Sequence, residues 1–271
     1  MKIEAERKAC QAPDGVTIVY SVAGKGGPAL LFIHGGMADR SFFEAQLDAL
    51  SDRWRVVALD LAGHGESGTN RATWGIPQFA SDVRAVADAE RLERVILFGN
   101  SLGGPVAIEA ALLLPGRAVG VVGIDTFQDL GQTSSPERER EQADFFRERA
   151  AALRSDHAAA IREMARMMFH ADADPALVAD VERRLLKTPA PVASSMLASV
   201  TGYSQNAAAR RLTIPLRSIQ GDLYPIDVRA ARTVKADFDV IVMKHVGHYP
   251  MLERPGEFND HVATLVAALT T

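Results

Sequence analysis

Cysteine is almost missing from this sequence: the 271 residues contain one, Cys10. A lone thiol cannot form an internal disulfide, and the opening stretch MKIEAERKAC lacks the apolar core of a secretory signal, so a cytoplasmic protein is expected. Without a CxxC partner, Cys10 reads as a partly buried thiol and not a redox group. Long apolar runs are missing as well. None approaches the roughly 18 residues of a membrane span, which excludes a transmembrane chain. Charge of one sign is not in excess: the net charge is −4, with acids and bases interspersed, and nothing recruits nucleic acid or an anionic membrane surface. The densest charged run, Glu137 to Glu141, alternates in sign and reads as a solvated helix face. The histidines are scattered, with no HExxH and no Cys/His cluster, so neither a metal nor another cofactor is expected. No repeat or low-complexity stretch is present. What these absences leave is a soluble enzyme with a small-molecule partner, as a monomer or a homodimer.

What is there is apolar and alternating. Hydrophobic residues make up 47% of the chain, enough at this length to bury about three quarters of the unfolded surface. Thr17 to Val22 follows the turn Pro13-Asp14-Gly15 and precedes a run of glycines, which predicts an opening antiparallel hairpin. Short apolar runs then recur at Ala29 to Ile33, Arg55 to Asp60, Val95 to Phe98 and Ala118 to Asp125. Helical stretches near 41–50, 77–90 and 102–114 separate them. Such runs, too short for membrane and too continuously apolar for a one-sided sheet, predict a mostly parallel β-sheet covered on both faces.

From about 130 to 206 the alternation gives way to helical spacing. Ile161, Met164 and Met168 share one face, as do Leu177, Val181 and Leu185. Apolar runs resume at Ile214 to Gln220 and Asp239 to Lys244, and a helix over 255–269 closes the chain. The expected organisation is an α/β core of residues 1–129 plus 207–271 with a helical cap, 130–206, inserted into it.

Chemistry collects where the strands are predicted to end, which is where ligands sit in open α/β sheets. VILFGNSLGG places Ser101 between Gly99 and Gly103, after a strand and before a helix, the context of a nucleophile elbow. After ALLFI comes His34-Gly35-Gly36-Met37, whose glycines let the N–H of Gly36 or Met37 join that of Leu102 in an oxyanion hole. The turn Asp60 to Ser67 reads as structural. His64 within it precedes the serine, whereas serine-first order requires the base late in the chain. His248, after Gly247 in the loop following the last predicted strand, is preferred as base over His245. His157, His170 and His261 fall in helical stretches and read as surface or cap residues.

Taken in order, HGGM, DLAGHGES, GNSLGG and VGHYPMLERP resemble the α/β-hydrolase fold family over nearly the whole core. The resemblance implies a serine nucleophile at Ser101, a base at His248, an oxyanion hole at Gly36 or Met37 with Leu102, and the cap. Asn100, directly before the serine, also resembles the carbon-carbon bond hydrolases of aromatic ring-cleavage pathways. The acid departs from the family pattern. Most relatives carry it three residues after a glycine ending the seventh strand, where Gly221-Asp222-Leu223-Tyr224 presents a tyrosine. The sixth strand supplies the acid in some lipases, and Asp125 stands there, 24 residues after Ser101. Asp125 is therefore the first choice and Asp222 the second, with Asp227 and Asp129 behind them.

Three functions follow as expectations. The first is a serine carboxylesterase acting on small to medium apolar esters through an acyl-enzyme. The second is a carbon-carbon bond hydrolase with the same triad, and the third a slow-turnover binding or signalling protein of the same fold. Phe42, Phe127, Met164 and Met168 are candidate pocket residues, with Phe43, Trp74, Met167 and Phe169 as further apolar neighbours. A methionine stripe at helical spacing serves packing equally well.

Overall fold

The computed structural model describes residues 4–132 and 135–270. The chain opens with the antiparallel hairpin β1 (Glu6–Gln11) and β2 (Thr17–Ala23), followed by β3 (Ala29–Ile33), a 3-10 turn Arg40–Phe43 and α1 (Glu44–Leu50). Next come β4 (Val56–Leu59), α2 (Ile76–Ala89), β5 (Val95–Asn100), α3 (Gly103–Leu112) and β6 (Ala118–Ile124). Helices α4 (Pro136–Ser155), α5 (His157–Met167), α6 (Pro175–Leu185), α7 (Ala190–Ser199) and α8 (Gln205–Arg211) lead to β7 (Leu216–Gly221). The chain ends with α9 (Val228–Val234), β8 (Asp239–Met243), α10 (Pro250–Glu253) and α11 (Pro255–Thr270).

Among the described residues, eight strands form one sheet in the order β1-β2-β4-β3-β5-β6-β7-β8. Only the pairings of β2 with β1 and β4 are antiparallel. The expected fold class, a mostly parallel doubly covered sheet, is observed, and the reason lies in the strands themselves. Every residue of ALLFI, VVAL and VILFGN is buried, which an uncovered sheet face would not permit. Register then determines where the site lies. Ile33 pairs with Gly99, Gly99 with Gly123, and Ile124 with Ile219, so the carboxyl ends of β3, β5, β6 and β7 reach one edge together.

Between β6 and β7 the described residues are helical, and local chemistry sets each start. Ser135, Asp156, Asp174 and Ser204 accept backbone N–H groups at the beginnings of α4, α5, α6 and α8, each such cap stabilising its helix by about 1 kcal/mol. The faces read from spacing are the buried ones: Ile161 and Met164 on α5, Val181 and Leu185 on α6. The described side chains of the Glu137–Glu141 run are exposed, and that of Glu139 lies outside the described residues, as do positions 133 and 134 of the inserted segment and 1–3 of the N-terminal stretch. Among the described residues, no helix is long and apolar enough to cross a membrane. Cys10 is partly buried on β1, where burial pushes its thiol up to about 11.

The turn after β4 is structural in its contacts. Buried Asp60 accepts the N–H groups of Arg40 (2.7 Å) and Glu66 (2.9 Å) and pairs with the Arg40 guanidinium. A Cβ at Gly65, whose φ is +53°, would meet the Asp60 carboxylate at 2.3 Å, so the close approach demands glycine. His64 is buried, its Nδ1 3.0 Å from the Ala62 carbonyl, and burial holds it near 3, a neutral ring.

Candidate active site

Ser101 sits at φ +50°, in the left-handed region that a non-glycine residue rarely adopts. The turn is held there by close packing on both sides. A Cβ at Gly99 would lie 2.0 Å from the Gly103 carbonyl oxygen, and one at Gly103 2.4 Å from that of Ile33. The spacing of the two glycines is thus the spacing of two backbone crossings, from β5 onto α3 and from α3 onto β3. The Ser101 N–H donates to the Ile124 carbonyl at 3.1 Å, and α3 starts two residues later, so the partly exposed serine stands at a helix N-terminus.

Asp125 and His248 meet across the next strand end. His248 Nδ1 lies 2.5 Å from Asp125 Oδ2. Since an ionised carboxylate only accepts, the bond places the imidazole proton on Nδ1 and leaves the lone pair on Nε2. Asp125 is 1% exposed and has φ +43°, the turn that aims its carboxylate back over the sheet. Its other oxygen accepts from Gln220 Nε2 at 2.6 Å and from the Gly221 N–H at 3.1 Å. A buried carboxylate needs such partners, because an unpaired charge there carries a large desolvation cost.

The histidine loop is held just as firmly. The His248 N–H donates to the Met168 carbonyl (2.8 Å), and the His248 carbonyl accepts from Asn100 Nδ2 (3.1 Å), which also donates to the Ile124 carbonyl (3.0 Å). The residue before Ser101 therefore ties together β5, β6 and the histidine loop. Glu253 accepts the N–H groups of Gly247 (2.9 Å) and Tyr249 (3.2 Å), and burial raises its carboxyl above the usual range. Gln220, Glu253 and the Met168 carbonyl escape a reading of the sequence. The available hint is a polar residue ending an otherwise apolar strand, as in Gln220-Gly221.

The turn after β3 lies against the serine. A Cβ at Gly35 would stand 3.2 Å from Ser101 Cβ and 3.0 Å from Asn100 Oδ1. His34 is wholly buried beneath it; its Nε2 accepts from the Leu61 N–H (3.0 Å), so Nδ1–H donates to the Gly35 carbonyl (2.7 Å). Burial lowers the ring to about 4, which keeps it neutral and structural. Met37 has φ +64°, and its carbonyl accepts from Thr188 Oγ1 at 2.9 Å.

The remaining candidates lie elsewhere. Asp222 accepts from His170 Nε2 (2.9 Å) and the Val246 N–H (3.3 Å). The His245 backbone, then the His170 side chain, hold its carboxyl down to about 2. His245 is exposed, stacked on His170 and paired with Asp172 at 3.0 Å. Asp227 caps α9, and exposed Asp129 pairs with Arg138. Phe42 packs on Tyr249 beneath the Arg184 guanidinium, while Phe127 fills the space beside Gly104 and Gly123 and meets Phe238. Met164 faces a cleft between α4 and α5 with Phe145 and Arg149. Met168 also touches the histidine loop, its Sδ 2.9 Å from the Tyr249 hydroxyl. Among the described residues, no three His, Cys, Asp or Glu side chains converge as a metal site.

Over 108 residues the chain is 38% identical to the dihydrolipoyllysine-residue acetyltransferase component of an acetoin cleaving system from Cupriavidus necator, a match covering 40% of this chain and 29% of that protein. It is 34% identical over 109 residues to 2-(acetamidomethylene)succinate hydrolase of Mesorhizobium japonicum, covering 40% of this chain and 39% of the relative. The chain thus spans well under half the length of these curated relatives. In fold it is similar to a thermophilic esterase from Thermogutta terrifontis, solved with malate bound, at a TM-score of 0.84 and 22% identity over 98% of this chain and 100% of that one. A family model for the alpha/beta hydrolase family matches residues 30–261. Since that match runs from β3 into α11, through every strand end described above, the chain belongs to the alpha/beta hydrolase family.

Proposed function

We propose that this protein is a serine hydrolase that cleaves carboxylic esters through an acyl-enzyme, with Ser101 as nucleophile, His248 as base and Asp125 as the acid that orients it. The observation that carries this reading is the contact of His248 Nδ1 with a buried, doubly held Asp125, on a loop that Asn100 binds to the strained turn bearing Ser101. Ser101 Oγ attacks the acyl carbonyl while His248 Nε2 takes its proton. The same proton then passes to the departing alcohol, and a water molecule, deprotonated in turn by Nε2, releases the acid and restores the serine. The Leu102 N–H, with that of Gly36 or Met37, receives the oxyanion. Each donor contributes about 3 to 4 kcal/mol to the transition state. Asp125 stabilises the imidazolium as it forms.

Helices α4 to α7 act as the cap in this reading, and the substrate is a small to medium, largely apolar ester. The esterase name of the similar structure supports ester chemistry, and the hydrolase name of the relative supports hydrolysis. The test is hydrolysis of p-nitrophenyl esters together with labelling by a fluorophosphonate probe. Ser101→Ala is expected to abolish labelling and to lower kcat by about 10⁶. Unlabelled wild-type protein, or a variant that keeps its activity, overturns the assignment. Strong preference of the wild type for a vinylogous diketone over any ester moves the reaction to carbon-carbon bond hydrolysis with the same residues.

A further inference from the structure

One face of α7 lies directly on the catalytic edge of the sheet. Three residues at helical spacing, Val192, Met196 and Ser199, each meet a glycine of the core. A Cβ at Gly63 would stand 2.6 Å from Val192 Cγ1, one at Gly36 2.8 Å from Met196 Cε, and one at Gly75 3.9 Å from Ser199 Oγ. The glycines are what let the helix come so near. Thr188, just before α7, adds its hydrogen bond to the Met37 carbonyl. Met196 is 1% exposed, its thioether enclosed by its neighbours.

That place borders both halves of the oxyanion hole assigned above. The point 2.8 Å from Met196 Cε and 3.4 Å from its Sδ, where a Gly36 Cβ would be, is also 3.9 Å from Leu102 Cδ2. A tetrahedral carbon on Ser101 has four substituents. Oγ comes from the serine, the oxyanion points to the N–H donors, and the leaving alcohol must face His248 Nε2 to receive its proton. The fourth, the acyl chain, takes the side away from the imidazole. Met168 and Tyr249 flank the imidazole: the Met168 carbonyl holds the His248 N–H, and the Tyr249 ring lies 5.2 Å from the imidazole. Met196 packs instead against Gly36, one of the residues assigned to the oxyanion hole.

Resting on the serine-hydrolase reading, we infer that Met196 is a specificity-determining residue that limits the length of the acyl chain. Its Cε and Sδ wall off the space beside Gly36 and Leu102, so acetyl and butyryl groups fit and longer chains do not. Filling or emptying an apolar pocket by a methylene or two alters selectivity by about tenfold or more.

The experiment compares kcat/KM for p-nitrophenyl acetate, butyrate and octanoate in the wild type, Met196→Leu and Met196→Ala, with a second series of acetates of increasing alcohol length. The wild type should favour acetate or butyrate over octanoate. Met196→Ala should raise the octanoate-to-acetate ratio by about tenfold or more, Met196→Leu by a smaller factor, and neither should alter the alcohol series by more than about twofold. Leucine keeps the helix face filled, so it carries the test if alanine unfolds the cap. Ratios in both variants within about twofold of the wild type overturn the inference, as does an equal shift in the alcohol series. A wild type that takes up fluorophosphonate and hydrolyses acetate while the ratios stay flat overturns the role of Met196 alone. A wild type that does neither overturns the serine-hydrolase reading beneath it.

Discussion

Strands β6 and β7 run side by side and each is followed by an aspartate, yet the two carboxylates occupy opposite surroundings. The Asp125 side chain has no exposed surface, and each oxygen is engaged, one by His248 and the other by Gln220 and Gly221. The Asp222 side chain is 28% exposed and pairs with His170, a residue of the α5–α6 connection. The two strands have divided one task. β6 ends at the carboxylate that meets His248, while β7 supplies the amide and the backbone N–H that hold that carboxylate. Orienting an imidazole requires a carboxylate that is itself immobile, and immobility in a buried place comes from hydrogen-bond partners for both oxygens. Asp222 is hydrogen-bonded too, but to His170 and the Val246 N–H and not to the imidazole of His248. It fastens the segment after α5 to the histidine loop instead.

Exchanging the acids tests this division most severely. Asp125→Asn should lower kcat on p-nitrophenyl acetate by about 10⁴, because an amide facing Nδ1 no longer fixes the tautomer or stabilises the imidazolium. Asp222→Asn should leave kcat within about threefold of the wild type, since its hydrogen bonds do not reach the imidazole of His248. Comparable losses in the two variants, measured as steady-state kcat with melting temperature as a control, would erase the contrast. The reverse order would move the acid to β7.

The holder is the next target. Gln220→Leu keeps the volume but removes the 2.6 Å bond to Asp125 Oδ1, leaving the Gly221 N–H as its remaining donor. A hydrogen bond to a charged group contributes about 1.5 kcal/mol or more, so kcat should fall by about tenfold. Unchanged KM would place the loss in the chemical step. A wild-type rate would mean that β7 takes no part in orienting the histidine.

The contrast between the strands also shows how far a sequence can be read. ALLFI, VVAL and VILFGN declare themselves as buried strands because both of their faces are apolar, and residues at the ends of such runs are legible in turn: Ser101, Asp125 and the glycines around them. β1 is harder, since ERKACQ is an edge strand on which only Lys8 and Cys10 are even partly buried. α9 fully buries Ala231 alone, with Val228 and Val234 half-buried beside it, so over seven residues its apolar stripe is too short to announce a helix. Within the site, the partners of Asp125 lie 95 and 96 positions away in the chain, and no local pattern announces them. The same is true of Met196, whose helix APVASSMLAS is small and weakly patterned; its contact depends on Gly36, more than a hundred residues earlier.

The smallest expected effect concerns stability and comes from Asp222. Its carboxyl is held down to about 2 from an ordinary 3.8, chiefly by the His245 backbone and then by the His170 side chain and the Val246 N–H. A folded-state value below the unfolded one stabilises the fold at every pH above the unfolded value, and that stabilisation is lost as pH falls through the folded one. The affected window is therefore roughly pH 4 to 2, far below any pH at which the enzyme would be assayed. Because the side chain is partly exposed, solvent weakens the pairing, and Asp222→Asn should lower the melting temperature at pH 7 by only about 2 °C. The difference from the wild type should shrink as pH falls through that window and be gone below pH 2. Thermal melts of both proteins at pH 7, 4 and 1.5 check this. A gap that persists at the lowest pH would mean that the carboxylate charge is not what holds the segment after α5 to the histidine loop, and that Asp222 acts there through shape alone.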